Sequence, residues 1–376
     1  MSEVLTEHFD YLSLEGREAL YAEAIARVVR PGDVVADLGC GFGILGIQCL
    51  RAGAARVYGI DSSGAIDVAR ETVARAGLAD RYTCIRGSTY RTRLPEKVDL
   101  VICDHVGWFG LDYDIIPMLE DARRRLLKPG GKILPQKLRL VLAGVSSDKC
   151  RAVAECWSTP PIPEAYRWLG EYQHNIKHSH EYEPQELCTA PITVGEIDFA
   201  VDNPDSFTFT ADLVAQQDVQ FDGIAGWFEC ELADGVWMTN SPLSGQRIAR
   251  VQIFLAAREP FAVRKGEVVK VTLRCLKEGD LISWTITPPG GGAKQKLSTF
   301  NAIVPGERGL VDPTGGPLAL SQMGELRRAV LGMIDGVRTA EGIEQAAIAA
   351  YPEIFPTEIQ IRQFVRSELA RNASSC

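Results

Sequence analysis

The chain has 376 residues, a formal net charge of −9, 46% apolar residues and 24% charged ones. That balance describes an ordinary globular protein of two or three domains. No apolar run approaches the ~18 residues of a membrane span; with no long Lys/Arg block, an acidic chain repels phosphate backbones, so nucleic acid is not an expected partner.

The N-terminal stretch "MSEVLTEHFDYLSLEG" is acidic and lacks an apolar core, so it does not read as a secretory signal, and a cytoplasmic location is expected. "EGREALYAEAIARVV" has the apolar spacing of a helix packed on a sheet edge. Strand-like and helix-like runs then alternate: "DVVADLG", "ILGIQCLRAG", "RVYGID", "AIDVARETVARAG", "YTCIRG", "KVDLVICDH", "YDIIPMLEDARRRLLKPGG" and "KILP". Strict alternation predicts a parallel sheet with helices on both faces, closing a first domain at residue 135.

From residue 136 to about 304 the texture changes. "KLRLVLAGV", "SFTFTADLV", "AGWFECEL", "RVQIFLA", "VVKVTLRCL" and "LISWTITP" are short, β-branched and separated by turn signals. They predict an antiparallel barrel or sandwich. A partly helical, aromatic excursion interrupts it at about 148–185. "VPGERGLVDPTGGP" marks the next boundary, and helical periodicity returns over 305–376 in three helices, a small winged-helix-like domain. The ten cysteines include no CxxC pair and several sit in apolar runs, which reads as reduced core thiols. His174, His178 and His180 in "HNIKHSH" read as a solvated face, not a metal site.

"DLGCGFG" follows a predicted strand and opens a helix. Gly39, Gly41 and Gly43 remove side chains where the backbone turns and a ligand must approach. Asp61 closes the next strand, 24 residues beyond Asp37, where a carboxylate can accept both ribose hydroxyls. Dinucleotide binding is the rival. But the pattern is GxGxG, and Asp37 just before it would crowd a pyrophosphate. A cationic nucleoside with an amino-acid tail and no phosphates fits, as in S-adenosylmethionine.

At these residues the chain resembles the class I methyltransferases, and among them the protein arginine methyltransferases. "DLGCGFGILGI" is similar to that family's glycine motif and "AGAARVYGIDSS" to its second strand. "VDLVICDHVGWFGLDYD" lies where its substrate loop lies, "GGKILPQ" where its last sheet strand begins, and "GWFECEL…MTNSP" resembles a strand pair of its barrel. The likeness covers about residues 8–300. It implies a Rossmann-like domain with a mostly parallel seven-stranded sheet, then a β-barrel. It implies that Arg17 holds the cofactor carboxylate, the plain alternative being an exposed helix charge. It also places Ser62 and Ser88 among the cofactor contacts. The excursion lies where the family carries a dimerisation arm, so a homodimer is expected.

The acceptor side departs from the family. Its two glutamates fall on Asp104, one methylene shorter, and on or beside Tyr113, flanked by Asp112 and Asp114. The family's Thr-His-Trp element would lie near Ile248 to Arg250, and no such triplet is there. A guanidinium needs two placed carboxylates, and here a second exists only if Asp112 or Asp114 turns inward. Asp104 is expected to hydrogen-bond the acceptor or take its proton; capping the following turn is the alternative. Trp108 and Tyr113 could line the acceptor pocket. His105, next to Asp104, should face the opposite side of the strand.

Residues 306–376 lie outside that pattern. "MIDGVRTAEGIEQAAIAAYPEIFPTEIQIRQFVRSELA" resembles the leader-peptide-binding chaperone of the coenzyme PQQ pathway. Seven Arg, no Lys and nine acids over 306–376 argue against DNA binding and for peptide recognition by an exposed strand edge; packing alone is the plain alternative. The reading is a methyltransferase acting on a peptide or protein. The alternatives are a small-metabolite acceptor or a non-catalytic cofactor-binding scaffold.

Overall fold

The computed structural model describes residues 2–302, 317, 319–352 and 357–373. The chain divides into two compact units, Met1–Val304 and Pro305–Cys376. All but the last residue of the boundary segment "VPGERGLVDPTGGP" lies outside the described residues of either unit.

In the first unit, helices α1 (Ser2–Leu12) and α2 (Arg17–Val28) precede an alternation of strands and helices. The order is β1 (Val34–Leu38), α3 (Ile44–Arg51), β2 (Arg56–Asp61), α4 (Ala65–Arg75), β3 (Tyr82–Arg86), β4 (Val98–Cys103), α5 (Ile115–Arg125) and β5 (Leu127–Leu134). All five strands pair in parallel in the order β3-β2-β1-β4-β5. Every residue of β1 is buried, as expected of a central strand covered on both faces. The sheet has five strands where seven were expected. After β5 the chain leaves this layer, and its next strand, β6 (Lys137–Val145), pairs with barrel strands instead. β5 also begins earlier than "KILP": Leu127 pairs with Val98, and a register shift follows before Lys132 reaches Leu100.

The remaining strands of this unit are β7 (Lys177–His180), β8 (Ile192–Asp198), β9 (Ser206–Val214), β10 (Val219–Ala233), β11 (Val236–Thr239), β12 (Gln252–Val263), β13 (Val268–Leu276), β14 (Ile282–Thr287) and β15 (Gln295–Ser298). They form antiparallel sheets ordered β7-β12-β10-β6-β8, with β11 on β10, and β15-β14-β13-β9. Alternating burial along β13 and β14 turns one face of the smaller sheet inward. The excursion holds the short helices α6 (Asp148–Ala154) and α7 (Gly170–Gln173). Its "KHSH" segment is strand β7 on β12, with His178 buried, so the histidines there are not a common solvated face. His180 Nε2 lies 3.2 Å from Glu186 Oε1. One apolar core runs through both layers, from Val35 and Ile102 to Leu213 and Trp284.

The second unit packs α8 (Gln322–Gly332), α9 (Ala340–Ala350) and α10 (Glu358–Asn372) around Leu326, Val330, Ile343, Ala347, Ile361 and Val365. Ser321, Thr339 and Thr357 cap the three helices, each accepting from a backbone N–H three residues on. Among the described residues this unit has no strand, so the expected wing, and with it a strand edge for peptides, is not formed there.

Candidate active site

The carboxyl ends of the parallel strands border a cavity of about 230 Å³. A larger cleft of about 660 Å³ runs along β5 and the amino end of β4, among Lys97, Lys128 and Lys132. Ligands of open parallel sheets bind outside the carboxyl ends of the strands, so the smaller cavity is the candidate.

One wall is the loop after β1. Gly39, Gly41 and Gly43 all have positive φ, at 60°, 52° and 83°. At Gly39 the requirement is double, because a Cβ there would lie 2.0 Å from the His105 ring. Asp37 is 1% exposed. Its Oδ2 accepts from the Gly46 N–H at 2.9 Å and the Tyr82 hydroxyl at 3.1 Å. Burial nonetheless pushes its carboxyl up to about 7.

Asp61, at the end of β2, crosses to this loop: Oδ2 accepts from Gly41 N–H at 2.9 Å. Oδ1 accepts from Ser63 N–H at 2.8 Å and Ser63 Oγ at 2.7 Å. A carboxylate has about four acceptor directions, so one remains open and a second opens when the Ser63 hydroxyl turns away. Ser63, not Ser62, lines the cavity. Ser88 does not line it; its carbonyl closes the turn after β3 by accepting from Arg91 and Thr92 N–H.

The opposite wall comes from β4 and α2. Arg17 is 4% exposed, so it is not an exposed helix charge. Its Nε donates to Asp104 Oδ2 at 2.5 Å and its Nη2 pairs with the same oxygen. The Tyr21 hydroxyl donates to Asp104 Oδ1 at 2.9 Å. Both Asp104 oxygens are therefore engaged by α2, and Asp104 orients Arg17 where a free acid–base group was expected. Arg17 Nη1 is buried with no hydrogen-bond partner.

His105 lines the cavity beside Asp104. The strand ends at Cys103, so its alternation of faces no longer governs the next two residues. Desolvation lowers the His105 pKa, which keeps the ring neutral near pH 7.

The loop carboxylates do not converge on Asp104. Asp112 is buried, with Oδ2 accepting from Trp108 and Phe109 N–H at 2.9 and 2.8 Å and Oδ1 paired with Lys177 Nζ at 2.5 Å. Asp114 accepts from Gly279 N–H at 2.8 Å. The positive φ of Tyr113 and Asp114, 59° and 53°, sends each to its own partner. Tyr113 lines the mouth of the cavity, its hydroxyl 3.5 Å from that of Tyr11. Trp108 lines an adjoining cleft with Asp112, Lys177 and Asp280.

Sequence reasoning missed the contribution of α1. His8 stacks on Phe42 at 4.2 Å between ring centres, and Tyr11 lies one turn further on; both line the cavity. Their i, i+3 spacing was the available signal. Arg250 and Tyr82 had none, because their partners are remote in the chain.

The residues fit S-adenosylmethionine. The orphaned Arg17 nitrogen suits a carboxylate, Asp61 a ribose hydroxyl, and the open glycine loop a close approach of the nucleoside.

The α/β layer with this strand-end cavity is of methyltransferase type: residues 35–131 match the family model described as a methyltransferase domain. The chain is 38% identical over 141 residues to the probable protein arginine N-methyltransferase 6 of Arabidopsis thaliana, covering 37% of this chain and 32% of that protein. It is 31% identical over 211 residues to the probable protein arginine N-methyltransferase 6.1 of Oryza sativa subsp. japonica, covering 53% of each. The chain thus spans about a third to a half of the length of these curated relatives. Among solved structures, its fold is similar to a chain of the Trypanosoma brucei PRMT1 enzyme-prozyme heterotetrameric complex with AdoHcy. The TM-score is 0.70 at 24% identity, over 77% of this chain and 97% of that one.

Proposed function

We propose that the chain is an S-adenosylmethionine-dependent methyltransferase that modifies a peptide or protein. One observation supports this above the others: the orphaned Arg17 nitrogen and the Asp61 carboxylate border one cavity at the sheet's carboxyl ends. Bound there, the cofactor supplies an electrophilic methyl on a sulfonium. Arg17 Nη1 takes its carboxylate and Asp61 its ribose, while Gly39, Gly41 and Gly43 give it room. Asp37 faces its cationic end, and Asp104 fixes Arg17. Tyr113, with Tyr11, borders the acceptor's approach; Asp112 and Asp114 hold the loop. Ser62 and Ser88 have no part.

The work divides along the chain. Residues 1–135 hold the cofactor, 136–304 present the acceptor, and 305–376 capture the peptide. The terminal unit's arginines support protein over nucleic-acid recognition, since Arg327, Arg328, Arg338, Arg362 and Arg366 pair with acids of their own unit. On the excursion, Tyr166 and Trp168 expose more than half their surface, which supports a homodimer built on that segment; light scattering that reads a monomer would remove it. The nine described cysteines are all free thiols, which supports a cytoplasmic setting. Among the described residues, no helix is long and apolar enough to cross a membrane.

Calorimetry with S-adenosylhomocysteine, followed by label transfer from tritiated S-adenosylmethionine to peptides, tests the proposal. Saturable binding and labelled peptide are expected; no heat at all would end it.

Asp37 adds a pH dependence. Its carboxyl ionises at about 7 in the fold and at the ordinary 3.8 when unfolded. The native state therefore holds the extra proton between those values, and stability contributed by Asp37 falls as pH rises through that window. Affinity for the cationic cofactor runs the other way. It should rise up to about tenfold per unit below pH 7 and level off above it. The slope should vanish in Asp37→Asn; an unchanged slope there would reassign it.

A further inference from the structure

The excursion from the barrel leaves through α6 and returns through β7 and the short helical turn Pro184–Glu186. Cys150 lies on α6, His180 ends β7 and Glu186 closes the turn. The Cys150 sulfur, a ring nitrogen of His180 and a carboxylate oxygen of Glu186 all lie within 4.8 Å of one another. Cys150 is 1% exposed, and the His180 and Glu186 side chains are 13% and 12% exposed. The cluster is therefore sealed behind its sulfur and reached from solvent past the other two. His174 and His178 take no part; their rings lie against the Gly170 and Gln173 carbonyls.

Thiolate, imidazole and carboxylate are the donors that zinc takes from proteins. Around a tetrahedral ion, bonds of about 2.0–2.3 Å set the donors roughly 3.4–3.6 Å apart. His180 Nε2 already lies 3.2 and 3.4 Å from the two Glu186 oxygens, so closing on an ion needs a shift on the order of 1 Å at the sulfur. The carboxylate is held from behind. Ser147, the cap of α6, donates its hydroxyl to Oε1, and the Glu183 N–H donates to Oε2 at 2.8 Å. Outer bonds of this kind orient a metal ligand. Charge favours the same reading. Among the described residues Glu186 has no Lys or Arg partner, and its ion pair with His180 requires a protonated ring. A dication instead neutralises a carboxylate and a thiolate together and leaves the imidazole neutral.

We propose that Cys150, His180 and Glu186 bind one zinc ion, with water in the fourth position, and that the ion fastens the two ends of the excursion together. Binding exchanges the thiol proton for the metal. The proton leaves to solvent, the sulfur keeps its electron pair and donates it to zinc, and no oxidation state changes. Residue 150 is then tied to residues 180 and 186, which closes the segment carrying the exposed Tyr166 and Trp168. A clip across a long loop stabilises by removing freedom from the unfolded chain. No residue of the excursion lines the strand-end cavity, so the ion's part is structural and the inference stands apart from the methyltransferase reading.

The test uses the full, untagged chain, stripped with a chelator under reducing conditions and titrated with cobalt(II), then zinc(II). Cobalt should give a tetrahedral visible spectrum with a thiolate charge-transfer band that saturates at about one equivalent, and zinc should displace it. Zinc should also raise the melting temperature of the wild type. Cys150→Ser should abolish the thiolate band, and His180→Gln should weaken cobalt binding at least about a hundredfold, the upper end of what an outer-shell loss costs. Cys156→Ser, which removes the exposed cysteine six residues on, should change neither. No thiolate band at one equivalent, a band that survives Cys150→Ser or falls with Cys156→Ser, or a melting temperature that saturating zinc does not raise would overturn the proposal. Should Cys150→Ser fail to fold, His180→Gln decides, and unchanged cobalt affinity there overturns it.

Discussion

Replacing Asp104 by alanine is expected to lower the main melting transition by on the order of 10 °C and to abolish cofactor binding. The Arg17 and Asp104 side chains are 5% and 7% exposed, so the substitution strands a buried guanidinium. Breaking such a pair from one side costs about 3–5 kcal/mol, and about 2–4 °C accompanies each kcal/mol in a domain of this size class. The Tyr21 hydroxyl loses the closer of its two acceptors in the same step and keeps the Cys103 carbonyl at 3.2 Å. The double substitution Arg17→Met with Asp104→Leu removes both charges and should recover most of the melting temperature. It should not recover binding of S-adenosylhomocysteine, because the nitrogen meant for the carboxylate is gone. Differential scanning calorimetry reads the first effect and titration calorimetry the second. An Asp104→Ala protein that melts with the wild type would show that the pair is not the buried support described here.

Asp61→Ala is expected to act on binding with little effect on stability. It should raise the Kd for S-adenosylhomocysteine by about a hundredfold, as expected when charge-assisted hydrogen bonds of about 1.5–3 kcal/mol each are lost. Two losses combine: the ribose acceptor itself, and the tie through Gly41 N–H that holds the glycine loop in place. The side chain is only half-buried, so the melting temperature should move little. Ser63→Ala is the contrasting control. Its hydroxyl occupies one Asp61 acceptor direction, so its removal should leave affinity near wild type or improve it slightly. A Kd for Asp61→Ala within about threefold of wild type would place the ribose elsewhere.

Local features of the site were readable in the sequence. A buried strand, a glycine-rich turn and a helix follow one another within eighteen residues, Val34 to Arg51, and each is dictated by its own composition. Asp61 closes the next apolar run, so its placement at the strand end followed from the same alternation. Arg17 was reached only through family likeness, since a helix of that composition does not tell which charge it buries. The second loop carboxylate was not readable. Whether Asp112 or Asp114 turns toward Asp104 depends on Lys177 and Gly279, which lie 65 and 165 residues away along the chain. His105 was misassigned because the rule of alternate faces was carried two residues past the end of the strand.

Composition and periodicity by themselves determined the order of layers, the glycine turn and the acids that face it. These depend on interactions between near neighbours, whose geometry repeats wherever the same pattern occurs. Only the tertiary structure decided which charges are spent and which are left over. The pairing of Arg17 with Asp104, of Lys177 with Asp112, and of Arg250 with the Gly107 carbonyl, which leaves its Nη2 without a partner, arise where the barrel, the β4 loop and α1 meet. A charge's partner is fixed by distances of a few ångströms in space, and separation along the chain carries no record of them.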